Sequence, residues 1–200
     1  VVLPHEVIDG AVLCADGKIA GIYRAGEDLP EAPVRNCGNA WLFPGLVDTH
    51  VHINEPGRTE WEGFVTATAS AAAGGITTLI DMPLNSDPVT TTAAAFRVKL
   101  AAAEGKLSVD VGFHAGLIPG HVGDLGELID MGVVGVKAFM VYSGIPEFPA
   151  ATEKELAEAM PLLARRGIPL LAHAELDGPV ELPPGDGRSY RRYLASRPSS

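Results

Sequence analysis

The sequence predicts a parallel α/β fold of the (β/α)8 TIM-type barrel class, with about five of its strands present. Three observations lead there. Five β-like runs alternate with helical segments, chemistry-bearing polar residues fall at the ends of those runs, and no Gly-rich nucleotide or phosphate loop follows the first run.

The runs are LVDTHVHI (46–53), ITTLIDM (76–82), SVDVGFHAG (108–116), VVGVKAFMVY (133–142) and IPLLAHAE (168–175). Helical segments separate them: GFVTATASAAAGG, TAAAFRVKLAAAEGK, DLGELIDMG and TEKELAEAMPLLARRG. The last of these opens on a capping box, Thr152 with Glu155, and ends at Gly167. Five strands complete a doubly wound sheet but build little more than half a barrel. The polar residues favour the barrel, because barrel chemistry is assembled from the C-terminal ends of several strands. Here those ends carry His50 and His52, then Asp81 with Asn85 and Ser86, then His114, Lys137 and His173. Ahead of the barrel, residues 7–35 carry short β-like patches, with hairpin signals at Asp9-Gly10 and Asp16-Gly17.

At 200 residues and 46% hydrophobic, the chain is expected to form one large domain, or one with a small appendage. A net charge of −10 with no Lys/Arg block argues against nucleic acid or an anionic membrane as partner and favours a small ligand. No leader opens the chain and no apolar run approaches the roughly 18 residues of a spanning helix, so a cytoplasmic protein is expected. Cys14 and Cys37 lack CxxC spacing and read as inert or buried thiols. The absence of an initiator Met and the polar ending SYRRYLASRPSS read as a piece of a longer protein.

Two residues apart on a strand, His50 and His52 share a face, and two neutral imidazoles there are half of a metal site. Lys137 interrupts an apolar strand, where an ammonium is costly. It either snorkels, pairs with an acid, or serves as a neutral amine. An amine can add CO2, and the resulting carbamate is a carboxylate able to bridge two metal ions.

PGLVDTHVH (44–52), the strand lysine and the histidine of LAHAE together resemble the cyclic-amide branch of the amidohydrolase superfamily. HINEPGRTEWEGF, AAAGGITTLIDMPLNSDPVTT and EFPAATEKELAEAMPLLA resemble, within it, the enzymes that open the hydantoin ring of allantoin in purine breakdown. The resemblance implies a metal-bearing (β/α)8 barrel at 43–200, incomplete here, and places 1–42 in a small β-sandwich built from both chain ends. It implies that His50 and His52 bind the more buried metal, that carbamylated Lys137 bridges both metals, and that His173 binds the second. A further histidine and a proton-shuttling aspartate are expected beyond Ser200, so the chain alone is expected to be inactive. The metals are expected to be two divalent ions, zinc first, with iron, manganese or cobalt also compatible with such donors.

Asn54, Asn85 and Ser86, just beyond strand ends, are candidates to contact substrate, and Tyr142 matches a position where related hydantoinases stabilise an oxyanion. The implied partner is the small molecule allantoin, with no nucleic acid and no membrane, in a homo-oligomeric parent protein. His114 reads as packing or as support for the ligands, Trp41 as core, Trp61 as either core or substrate loop, and Arg58 with Glu60 as a loop-fixing pair. Two alternatives compete. A dihydroorotase or hydantoinase would act on a related ring, but the dihydroorotase pattern has arginine at position 54. A metal-free, non-catalytic relative would not need to keep the histidines and the lysine.

Overall fold

The computed structural model describes residues 1–175 and 185–195. The chain divides into two compact units, Val1–Leu46 and Val47–Ser200.

In the first unit β1 (Gly10–Ala15) and β2 (Lys18–Arg24) form an antiparallel hairpin with a bulge at Leu13/Cys14. Its turn is Asp16-Gly17, where both residues take positive φ, 51° and 71°. Asp9-Gly10, expected to be a second hairpin turn, instead opens β1, where Gly10 pairs with Arg24. A Cβ on Gly10 would sit 2.1 Å from the Tyr23 carbonyl oxygen, so this glycine serves close backbone approach. Trp41, expected in the core, is 66% exposed and stacks on Phe43. Both cysteines are free and exposed, not buried. The cause is shared: of the large hydrophobics in this unit only Ile8 is buried, so hydrophobicity there does not translate into burial.

The second unit holds a five-stranded sheet of β3 (Leu46–Val51), β4 (Ile76–Asp81), β5 (Asp110–Gly116), β6 (Gly135–Phe139) and β7 (Leu170–His173). Its spatial order is its chain order, and β4 through β7 pair in parallel. A doubly wound sheet reverses order at a switch point, whereas a barrel keeps adding neighbours in sequence. The arrangement is that of part of a barrel. Between the strands lie α1 (Phe64–Ala73), α2 (Ala93–Ala103), α3 (Leu125–Asp130) and α4 (Glu153–Arg166), and α5 (Tyr190–Ala195) follows β7.

Local chemistry sets the helix ends. The Thr152 hydroxyl accepts from Lys154 N at 3.3 Å, Glu155 Oε2 accepts from Thr152 N at 2.8 Å, and Gly167 closes α4 with φ 65°. Thr92 caps α2 through Ala95 N. The main core fills the sheet–helix interface with Leu79, Ala115, Val136 and Ala138 against Phe64 and Phe96, and Phe113 meets both phenylalanines edge to face. A smaller cluster of Met82, Leu84, Val89, Ile118 and Phe148 lies across the loops after β4, β5 and β6. Among the described residues no helix is long and apolar enough to cross a membrane.

Candidate metal centre

Strand alternation decides which residues share the inner face. On β6, Val136 and Ala138 enter the helix-side core, so Lys137 and Phe139 turn the other way. On β7, Leu170 packs helix-side while Leu171 joins the smaller cluster with Phe139, and His173 follows Leu171 in phase. On β5 the same rule turns His114 and Gly116 inward, between Phe113 and Ala115, which enter the helix-side core. Pairing sets the heights: Lys137 stands beside Gly116 and Leu171, and Phe139 beside His173.

Ring contacts join these groups. His50 and His52 lie with ring centroids 5.5 Å apart. Phe139 stacks on His173 at 5.1 Å and an interplanar angle of 13°, and Lys137 Nζ lies 4.8 Å from the same phenylalanine ring. Phe139 thus bridges the lysine and the third histidine. His114 is buried, with Nε2 3.3 Å from the Thr49 carbonyl oxygen. A Cβ on Gly135 would sit 2.5 Å from His114 Nδ1, so only glycine leaves that ring its place.

The donors suit a metal chemically. The Leu84 carbonyl lies 2.7 Å from His52 Nδ1, and a carbonyl can only accept. The proton is therefore on Nδ1, and Nε2 keeps its lone pair for a ligand. Burial lowers the His52 pKa, the Leu84 hydrogen bond opposes this, and the charges of His50, Lys137 and Lys99 lower it further, so the neutral, ligating form prevails. Burial likewise lowers the Lys137 pKa, toward the neutral amine. No three His, Cys, Asp or Glu among the described residues are gathered as a metal site.

Beyond the strand ends, Asn54 is buried and its Oδ1 accepts from Asn85 Nδ2 at 3.3 Å, which brings two of the expected substrate residues together. Ser86 is wholly buried with its hydroxyl donating to the Pro88 carbonyl at 3.2 Å, so its side chain braces the loop. Tyr142 is 65% exposed in the loop after β6. Arg58 fixes loops, but its acidic partner is Glu147, at 3.0 Å, not Glu60, and it also donates to the Asn85 carbonyl. Trp61 is exposed, with the Arg58 guanidinium over its ring.

Asp81, grouped by sequence with the strand-end residues, points away from this face. It shares strand phase with Leu79, and its carboxylate meets Lys99 of α2 at 2.7 Å, each side chain 1% exposed. Lys99 escaped the sequence reading, although it stands at a core position of α2 between buried Phe96 and Ala103. Glu55 was also missed: it accepts from Phe64 N at 3.0 Å and pairs with Lys106.

A profile of the amidohydrolase family matches residues 41–182. An allantoinase of Streptomyces avermitilis is 48% identical over 99% of this chain and 45% of its own length, and an Arabidopsis thaliana allantoinase is 42% identical over 100% and 42%. Among solved structures, the L-hydantoinase (dihydropyrimidinase) of Arthrobacter aurescens superposes with a TM-score of 0.79 at 31% identity, covering 94% of this chain and 43% of that one. The chain spans less than half the length of these relatives. With a matching profile across the sheet and its helices, and strands that follow one another in barrel order, the chain belongs to the amidohydrolase family.

Proposed function

We propose that the protein carrying this chain hydrolyses the cyclic amide of allantoin to allantoate, with His50, His52, Lys137 and His173 as ligands of two divalent ions. The observation that carries the reading is Lys137, a buried lysine turned to the same face of the parallel sheet as His114 and His173. The naming of the relatives at 42–48% identity as allantoinases supports the substrate. The unit before the sheet is read as part of a small β-sandwich.

Each residue has a defined task. His50 and His52 offer imidazole lone pairs, the latter through Nε2. Lys137 as a neutral amine forms a bond to the carbon of CO2 and releases one proton, turning a cation into a two-oxygen donor. His173, held flat against Phe139, offers a third imidazole. Divalent ions held by these four residues would supply Lewis-acid activation of a water and of the ring carbonyl. The Asn54–Asn85 pair presents amide donors and acceptors to a neutral ring and ureido tail, and Tyr142 is the donor read for the developing oxyanion. The carboxylate that moves the water's proton to the leaving nitrogen is taken to lie beyond Ser200.

The test is ring-opening of allantoin, hydantoin and dihydroorotate by the intact protein, with and without a chelator. Allantoin preferred, with loss on chelation and recovery on adding zinc or cobalt, supports the reading. A preference for hydantoin moves the assignment to the hydantoinase branch, to which the solved structure at 31% identity belongs. Turnover indifferent to chelation removes the metal.

A further inference from the structure

The buried pair Asp81–Lys99 lies outside the inner face, yet it grips the chain beside the metal motif. Asp81 Oδ1 accepts from the Ile53 backbone N–H at 2.6 Å, and Lys99 Nζ donates to the Ile53 carbonyl oxygen at 2.5 Å. Both polar groups of one residue are thus held by one ion pair. Neighbouring bonds complete the hold: Met82 N donates to Val51 O at 2.7 Å, the His52 ring to Leu84 O, and Asn54 N to Glu62 O at 2.8 Å. β3 ends at Val51, so at Ile53 side chains replace the sheet ladder in fixing the backbone.

A buried ion pair is weak evidence for stability, because apolar residues of the same volume commonly serve the fold as well or better. Here the pair does something apolar residues cannot, since it satisfies a buried N–H and C=O and fixes the two peptides that flank Ile53 between His52 and Asn54. We infer that Asp81 and Lys99 are positioning residues whose clamp on Ile53 sets the direction of the His52 ring and of the Asn54 amide. The inference rests on the metal-site reading of His52 but adds residues on the opposite side of the sheet. Phe64, 5.1 Å below the Lys99 ammonium, closes the clamp on its third side.

Two double variants of the intact protein separate geometry from charge. Asp81→Asn with Lys99→Gln keeps an acceptor and a donor, whereas Asp81→Leu with Lys99→Met keeps neither, and neither variant strands a buried charge. The probe is Co2+, followed by its visible absorption under chelator competition. Amide hydrogen exchange at Ile53 is measured without metal in parallel. The Asn/Gln variant is expected to bind Co2+ within about threefold of the wild type, and the Leu/Met variant at least tenfold more weakly. Ile53 exchange is expected to be as slow as that of core Leu79 in the wild type and in Asn/Gln, and fast in Leu/Met.

Equal Co2+ affinity in the two folded variants overturns the inference, and so does an Ile53 amide that exchanges freely in the wild type. If the wild type takes up no Co2+, the metal reading is what fails, and the exchange rates alone decide the clamp. If Leu/Met does not fold, the wild-type and Asn/Gln exchange rates decide it.

Discussion

Glu55 lies inside HINEPG, a stretch that reads as active-site sequence, yet its carboxylate does the work of a helix cap. α1 begins at Phe64 behind Gly63, which has no side chain to accept its first amides. A Cβ at position 63 would lie 2.9 Å from Thr59 Cγ2 and 3.1 Å from Glu55 Oε2, so a local Ser or Asp cap does not fit. Glu55 reaches in instead, with Oε2 on Phe64 N at 3.0 Å and Oε1 on Lys106. Losing this cap strands the buried Phe64 N–H and costs about 1–2 kcal/mol, and the partly exposed Lys106 pair adds at most about 1 kcal/mol. Glu55→Ala is therefore expected to cost about 2 kcal/mol and lower Tm by about 4–8 °C, whereas Glu55→Gln, which keeps an acceptor, costs at most about 1 kcal/mol.

The pH dependence of the Gln variant carries a sign. Burial raises the Glu55 pKa, but the Lys106 hydrogen bond, the Phe64 amide and the charges of Lys106 and Lys99 outweigh it, so it lies below the ordinary 4.5. A depressed carboxylate contributes stability that is complete above the unfolded pKa and lost as pH falls through the folded one. The gap between wild type and Glu55→Gln is thus full at neutral pH and closes below pH 4.5. Thermal melts across that range are the assay. A Gln variant as unstable as the Ala variant, or a gap that widens in acid, would refute the capping role.

Lys137→Ala in the intact protein is expected to lose bridged metal and activity together, with partial recovery of both on adding a short-chain carboxylic acid; metal analysis beside turnover checks this. Asn54→Arg places a guanidinium against the Asn85 amide and is expected to lower kcat/KM for allantoin at least about tenfold, or roughly 1.4 kcal/mol, with metal content unchanged. Thr152→Ala removes the α4 cap and is expected to cost about 1 kcal/mol, read as a Tm drop of about 2–4 °C.

The second unit was legible because its signals are local. Alternating strand and helix patterns, the Thr152–Glu155 box and a lysine amid valines depend only on near neighbours. The first unit was legible only in its hairpin. Trp41 was expected in a core, but burial depends on what covers a segment, and Trp41 and Phe43 remain exposed. Arg58 was readable as a loop-fixer from its surroundings. Its partner Glu147 lies 89 residues on, in the loop after β6, a pairing that nothing in the local sequence signals.

Asp81 and Lys99 show how much further phase alone can reach. Read at the end of ITTLIDM, Asp81 belongs with the mouth of the barrel; read two residues on from buried Leu79, it belongs with the helices. The second reading is the structural one, and it was available from alternation. In α2, Phe96, Lys99 and Ala103 follow one another at the spacing of a buried helical stripe, so the lysine occupies a core position. A carboxylate turned outward from a strand and an ammonium turned inward from the helix that follows must meet, because in a βα unit that helix packs on its own sheet. Each residue alone is an anomaly, a buried charge without a reason. Together they complement each other, and the residue they both grip, Ile53, is the one that follows His52.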